Sequence, residues 1–529
     1  MTPASPLEAC ARAGGEGAEA LFRSLKNPYY IGDDPSLTQT LGWVDGWTSR
    51  ASERVVAAET SDDVIAAVDF ARETGTPLVI KGGGHSYFGN SNAAGSLLVW
   101  TRRMREVVFH DAFRPAGAPD AIEASPAVSV GAGAIWRDVY FPAARAGRYV
   151  QGGGCLTVGV AGFIQGGGFG SFSKQFGTGA ANLLEVEVVT ADGRLRLVNE
   201  HQDPELFFAL RGGGGGTFGV VTRLTLRTHP MPARVGVVQM EVQAADDAAW
   251  RRLIGEFLRL YAGRLFNPHW GEQARFAPGR RLGISMLAQG LADAEVRDTW
   301  SGFLATIEAD PALEHRSEPR LLSFDGRQFW DRNFLRSVPG AVLADDRPGA
   351  PAENLFWATN VGEVGQVINA YESLWLPADL LQPDGLDRLA DALIEASAIW
   401  PVSLHFNKGL AGGAGTALST TARTATNPAV LEAFALLICA ADAPPAWPGI
   451  PGHEPDLAKG RREADSVASA ITPIRAIVPR RASYLYEASY FEPDWQDSFW
   501  GPNYGRLQRA KRAYDPAGLF KGHFYVSGA

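Results

Sequence analysis

The chain has 529 residues, of which 46% are hydrophobic and 20% charged, and its formal net charge is −9. That length calls for two or more domains, and the composition is that of a folded globular protein rather than a disordered one. The acidic balance argues against non-specific nucleic-acid binding or a basic membrane face, which leaves a small molecule as the expected partner.

Residues 1–22 carry no basic segment followed by an apolar run, and no later apolar run reaches membrane-spanning length, so a cytoplasmic location is expected. The cysteines, Cys10, Cys155 and Cys439, are odd in number and far apart, which supports neither a disulfide framework nor a metal site. Aromatic NPYY at 27–30 and LGWVDGW at 41–47 predict a segment packed onto the body of the protein. From 53 to 89 the pattern reads strand, helix, strand. The helix opens at Thr60 or Ser61 with Asp63 in the capping turn, carries Val64, Ile65, Val68 and Ala71 at helical spacing, and stops at Gly75. The second strand, PLVIK, runs straight into Gly82, Gly83, Gly84 and His85. Such a turn can aim consecutive N–H groups at a pyrophosphate, and it can equally be a tight turn bearing an exposed histidine. On spacing alone both readings stand, with Ser86 and Tyr87 adding a hydroxyl donor beside the imidazole.

Strands are expected at 97–100 and 127–133, separated by a loop at 111–121, and a helix at 134–147 closed by Gly147. Then comes QGGGCLTVGVAGFIQGGGFG at 151–170, one thiol between glycine runs, where backbone can lie against a flat or anionic ligand. We read it as a flavin cradle. A free cysteine is ordinarily a small buried hydrophobe, but here loop N–H groups are placed to favour a thiolate. Strands at 183–190, 194–198 and 218–229 follow, with a helix at PELFFAL before five glycines, 212–216. No strand-end acid follows GGGFGSF in a βαβ unit, and RGGGGGTFGVV lacks the Lys-Ser/Thr pair of a P-loop, so nicotinamide binding and nucleotide hydrolysis are set aside.

After Pro230 and Pro232 the glycine runs end. VGVVQMEVQA, RLGISMLAQG and PVSLHFNK alternate as strands between helical pieces such as DDAAWRRLIGEFLRLYAG, which predicts an antiparallel sheet with helices on one side and an α+β class overall. Trp270, Trp330, Trp357 and Trp400 read first as core and only second as a cavity lining. GLAGGAGTA at 409–417 reads as a mobile loop near the site entrance. Residues 481–495 are expected to hold a strand carrying Tyr484, Tyr486 and Glu487, and 504–520 a helix stopped by Asp515 and Pro516.

Together these stretches resemble the berberine bridge enzyme-like branch of the vanillyl-alcohol oxidase and p-cresol methylhydroxylase flavoproteins. The resemblance implies a p-cresol methylhydroxylase-type FAD-binding domain in two parts, 1–230 and 481–529, around a substrate domain at 231–480. KGGGHSYFG is similar to the family's pyrophosphate loop, which implies cofactor contacts at Gly82, Gly83, Gly84 and Ser86 and a covalent bond from His85 to the flavin 8α-methyl. The cysteine loop is similar to the one whose thiol bonds flavin C6, which implies Cys155 for that bond and Thr157, Val158, Gly159, Gly162, Gly166 and Gly167 beside the ring. RGGGGGTFGVVT resembles the segment along ribose and adenine, bringing in Gly219, Val220 and Val221, and WGPNYGRL resembles the C-terminal closure, bringing in Asn503. A valine three residues after the cysteine is associated with oxidases in this family, so Val158 implies O2 as acceptor and hydrogen peroxide as product.

Two positions depart from the pattern. Phe163 stands where relatives often carry a histidine that stabilises charge on the flavin, and Tyr484-Leu485-Tyr486 is followed by Glu487 where some relatives place a catalytic tyrosine. The expected reaction takes a hydride from a hydroxyl-bearing carbon of a sugar, glycoside or other secondary metabolite while a base takes the hydroxyl proton. Glu487 serves as base if burial raises its pKa toward neutrality, whereas Tyr484 or Tyr486 needs a downward shift, and each tyrosine reads equally well as core. His405 and Asp331 are read as structural. The alternatives are oxidative cyclisation or desaturation of a secondary metabolite and, in a different class, a flavin-binding protein without catalysis.

Overall fold

The computed structural model describes residues 2–528. Its helix Ser61–Thr74 starts on a capping box, with the Asp63 carboxylate accepting from the Thr60 N–H at 3.0 Å, and ends on Gly75 at φ +67°. Val64, Ala67, Val68 and Ala71 pack onto a three-stranded parallel sheet with Leu97–Trp100 in the centre and Arg54–Ala57 and Leu78–Lys81 beside it. A second sheet is antiparallel, in the order Leu195–Val198, Leu183–Val189, Val220–Arg227, Ser125–Gly131, Val107–Phe113. The last of these occupies part of the stretch expected to be loop, so that loop begins only after Phe113. As an edge strand bearing His110 and Asp111 it buries no face fully and shows no apolar alternation.

The third sheet has ten strands and gathers Arg234–Ala244, Arg281–Gln289, Trp270–Ala277, Val402–His405, Ala433–Ala443 and Gln366–Pro377. Helices Asp247–Leu260, Asp293–Ala309, Pro383–Ile399 and Leu457–Ile477 bury their apolar faces against it. Among the described residues its pairings are antiparallel except at one place. Thr40–Trp43 runs parallel to Gln366–Pro377, and Trp47–Thr48 follows it. The N-terminal segment therefore packs onto the body as expected, but onto the large sheet. Its helices Pro6–Arg12 and Ala18–Ser24 share a core with Val364, Val367 and Trp447.

Three local expectations are corrected. Residues 481–487 form turns rather than a strand: the Glu487 N–H donates to the Tyr484 carbonyl at 3.0 Å, and the Tyr486 ring fills space that a strand ladder would leave empty over Gly166. Residues 409–414 are pinned rather than mobile, with Leu410 fully buried and helix Gly415–Thr421 following directly. Of the four tryptophans, Trp270 and Trp330 are core, the Trp400 indole donates to the Ala440 carbonyl at 2.9 Å, and the Trp357 indole donates to the Gly154 carbonyl at 2.7 Å. No helix among the described residues is long and apolar enough to cross a membrane.

The large sheet meets the glycine loops at Gly271, where an added Cβ would lie 1.8 Å from the Ser171 carbonyl oxygen. Gly271→Ala is expected to force that junction apart and lower the thermal midpoint by several degrees, read by circular dichroism against a Gly302→Ala control, whose Cβ would meet nothing within 4 Å.

Candidate active site

Strand Leu78–Lys81 ends on a buried lysine whose ammonium donates to the carbonyls of Asp34, Pro35 and Leu37 at 2.8, 3.1 and 2.6 Å. That anchor fixes where the following turn begins. Gly84 takes φ +75°, and a Cβ on Gly83 would lie 2.6 Å from the Gly159 nitrogen, so only glycine lets this turn touch the cysteine loop. His85 is thereby set beside Thr157, whose hydroxyl lies 3.3 Å from its Nε2 and 3.4 Å from the Cys155 sulfur. One threonine hydroxyl thus sits between the imidazole and the thiol. Burial pulls the His85 imidazole down to about 4, which leaves it neutral at physiological pH. Burial also pushes the Cys155 thiol up, while the Thr157 hydroxyl and the N–H groups of Thr157 and Val158 pull the other way. The loop N–H groups expected to favour a thiolate are present, but burial outweighs them.

Both residues open onto a cavity of about 410 Å³, walled by Gly82, Gly83, Gly84, Ser86, Val158, Gly159, Gly162, Gly219 and Val221 among others. Five expected contacts lie outside that wall: Thr157, which stands behind His85 and Cys155, and four others. Gly166 receives the Tyr486 ring, Gly167 faces the Thr426 hydroxyl, and Val220 is buried in the core with Val64 and Phe520. The Asn503 amide spans the carbonyls of Thr424, Ala425 and Thr426 at 3.5, 3.3 and 3.1 Å. Phe163 reaches the cavity edge-on to Trp136, and its ring crowds Gly153 and Gly168. Its volume explains why those two positions carry no side chain.

The same cavity is also lined by Glu272, His405, Asn407, Lys408, Tyr484, Tyr486, Glu487 and Glu363. Lys408 and Glu487 form an ion pair. The Tyr486 hydroxyl accepts from the Gly215 N–H at 2.8 Å, and burial pushes it up to about 12. Burial raises Tyr484 further, so neither tyrosine shows the downward shift that a base would need. His405 lies in the wall rather than away from it, its ring 3.1 Å from the Ser403 hydroxyl and held well below its usual pKa by burial and by Lys408. Asp331 caps helix Arg332–Ser337 by accepting from the Phe334 N–H at 2.8 Å and is not part of the cavity wall.

Sequence reasoning passed over Glu272, Glu363, Asn407 and Lys408. Lys408 alone left a trace, a charge at the end of a strand pattern. Glu363 lies in a short loop after the 3-10 turn Ala358–Gly362 and belongs to no motif.

Comparison with known proteins gives this geometry a family. An FAD binding domain model matches residues 52–199, and a model described as "Berberine and berberine like" matches 483–523. The FAD-linked oxidoreductase easE of Arthroderma benhamiae is 33% identical over 473 residues, covering 88% of this chain and 87% of that protein. The chain belongs to the berberine bridge enzyme-like FAD-linked oxidoreductases. Solved structures agree on the fold. A VAO-type flavoprotein of Myceliophthora thermophila superposes with a TM-score of 0.77 at 24% identity, covering 97% of this chain and 88% of that one. A glucooligosaccharide oxidase of Acremonium strictum, titled for its 6-S-cysteinyl, 8α-N1-histidyl FAD, superposes at 0.67 with 19% identity, covering 93% and 94%.

The cavity of this FAD-linked oxidoreductase fits its cofactor on its own evidence. Nothing lies within 4 Å of where a Cβ on Gly154 or Gly162 would stand, so backbone forms the floor and a side chain at either would fill the space the cofactor needs. The Thr217 hydroxyl in the same wall is buried without a partner among the described residues, which a polar ligand would satisfy. His523, Phe524 and Tyr525 close the far side, because Phe520 bridges Leu78 and carries the chain end back to the small parallel sheet.

Proposed function

We propose that this oxidoreductase is an oxidase that removes a hydride from a hydroxyl-bearing carbon of a sugar, glycoside or other secondary metabolite and passes the electrons to O2, giving hydrogen peroxide. One observation carries the reading: an imidazole and a thiol flank the same threonine hydroxyl, and carboxyl groups line the same single cavity. When bound, FAD supplies the two-electron acceptor, held through His85 and Cys155. The segments 1–230 and 481–529 act as the cofactor domain and 231–480 as the substrate domain, with the first 48 residues bracing the latter's sheet.

This chain's residues divide the remaining work. Gly82, Gly83 and Gly84 give the anionic part of the cofactor backbone N–H groups. The cysteine loop fixes the ring plane, and Val158 stands in the wall where oxygen must arrive. The carboxyl-bearing wall orients the substrate hydroxyl toward a carboxylate, which takes its proton as the hydride leaves. Lys408 holds Glu487 in place there.

The test is flavin bleaching under anaerobic conditions and peroxide formation in air with a panel of oligosaccharides, glycosides and polycyclic alcohols. At least one class is expected to bleach the flavin and release peroxide on re-oxidation. Bleaching without peroxide removes O2 as the acceptor, a product closed on its own nucleophile marks oxidative cyclisation, and no bleaching by any member leaves a non-catalytic flavin-binding role.

A further inference from the structure

Every base expected from the sequence is already engaged. The hydroxyls of Tyr484 and Tyr486 accept from the Gly168 and Gly215 N–H groups, and Glu487 is paired with Lys408. Glu363 is different. Among the described residues its carboxylate has one hydrogen-bond partner, the Asn360 amide at 3.4 Å, and it opens onto the cavity. Its charge also acts on Cys155, Tyr87 and Glu487.

The loop that carries it is fixed at both ends. Before it, the Trp357 indole holds the Gly154 carbonyl beside Cys155 at 2.7 Å. After it, the Gly365 N–H donates to the Gln39 carbonyl at 2.8 Å, at a glycine with φ +70° whose Cβ would lie 2.7 Å from the Leu25 carbonyl oxygen. The N-terminal segment thus braces a loop whose Glu363 lines the cavity.

We propose that Glu363 is the general base of the oxidation, with the Lys408-paired Glu487 as its electrostatic partner. The assignment rests on the alcohol-oxidase reading. The substrate O–H bond breaks with its proton passing to a Glu363 carboxylate oxygen. The C–H bond breaks with its electron pair leaving as hydride to the oxidised FAD, and the carbonyl C=O forms. Glu363 is exposed to the open cavity, yet the crowded wall around it and the Glu487 charge, with a smaller push from Asp442, raise its carboxyl to about 7 against the pull of Lys408 and the Asn360 amide. A base with that proton affinity is half ionised at physiological pH, where general-base catalysis works best. Because the ionised form is the active one, the rate should rise with pH through the neutral range and then level off.

Two measurements on the FAD-loaded protein test this. Infrared pH titration needs no substrate. The wild type is expected to lose a protonated-carboxyl band with a midpoint near 7, Glu363→Gln to lack that band, and Glu487→Gln, by removing a like charge, to move it to lower pH. Anaerobic flavin reduction by an active panel alcohol is expected to follow the same pH midpoint and to fall about 100-fold or more in Glu363→Gln at unchanged FAD content. A band unaffected by Glu363→Gln, or a variant that reduces its flavin at the wild-type rate, overturns the assignment. If no panel alcohol bleaches even the wild type, the oxidase reading fails first and the base falls with it.

Discussion

Acid-denatured protein is expected to remain yellow and to carry the mass of FAD in the wild type, in His85→Ala and in Cys155→Ala, and to lose both in the double variant. The expectation follows from two nucleophiles with opposite pH behaviour on either side of one hydroxyl. The His85 ring, pulled down to about 4, is neutral and nucleophilic at any ordinary pH. Cys155 is raised by burial, and the thiolate is the reacting form, so its link should form faster as pH rises. Apo-protein loaded with FAD at pH 6 and pH 9 should therefore acquire the sulfur link, read in His85→Ala, faster at pH 9, while the histidine link, read in Cys155→Ala, changes little. Colour that survives in the double variant would place the attachment elsewhere. Wild type that comes out at the bare chain mass despite ample FAD would remove covalent attachment altogether.

What could be read from the sequence was what short spans determine. The capped helix at Ser61, the strand running into Gly82 and the glycine-flanked thiol each depend on neighbours in the chain, and all three stand where spacing put them. The carboxyl-bearing wall was legible only in part. Glu363, Lys408 and Glu272 come from a loop, the 3-10 turn Phe406–Lys408 and the strand Trp270–Ala277, more than 40 residues apart, and nothing local marks them as neighbours. Glu487 was found through a motif, but its strand was not there, because alternating Tyr484 and Tyr486 mimic a period-2 pattern while both rings pack against the glycine run at 166–168. Residues 409–414 show the same ambiguity from the other side. Their glycines permit close approach rather than motion, since a Cβ on Gly409 would lie 2.5 Å from the Ala435 nitrogen.

That tight loop leads to the second large effect, which is expected at Lys174. Its side chain is 1% exposed, and its ammonium donates to the carbonyls of Gly409, Ala411 and Phe434 at 2.5, 2.8 and 3.1 Å. No carboxylate among the described residues pairs with it, and burial pulls it down to about 7, so these three bonds are what offset the cost of enclosing the charge. Lys174→Met fits the same tunnel but strips a donor from three buried carbonyls. The Phe434 carbonyl keeps the Tyr261 hydroxyl at 3.4 Å, so at about 1–3 kcal/mol for each of the other two groups the loss is expected to be about 2 kcal/mol or more. The damage should also travel to the site, because Asn407 and Lys408 immediately precede the loop and line the cavity. Thermal unfolding should show a lower midpoint, and any active panel alcohol should reduce the flavin more slowly as Lys408 loses its hold on Glu487. Lys81→Met, which cuts the matching bonds to Asp34, Pro35 and Leu37, should instead loosen the His85 turn and lower the fraction of FAD attached through histidine. Equal effects of the two variants on both readouts would mean that neither lysine organises its own wall, and a Lys174→Met protein melting with the wild type would show that the carbonyls find other donors.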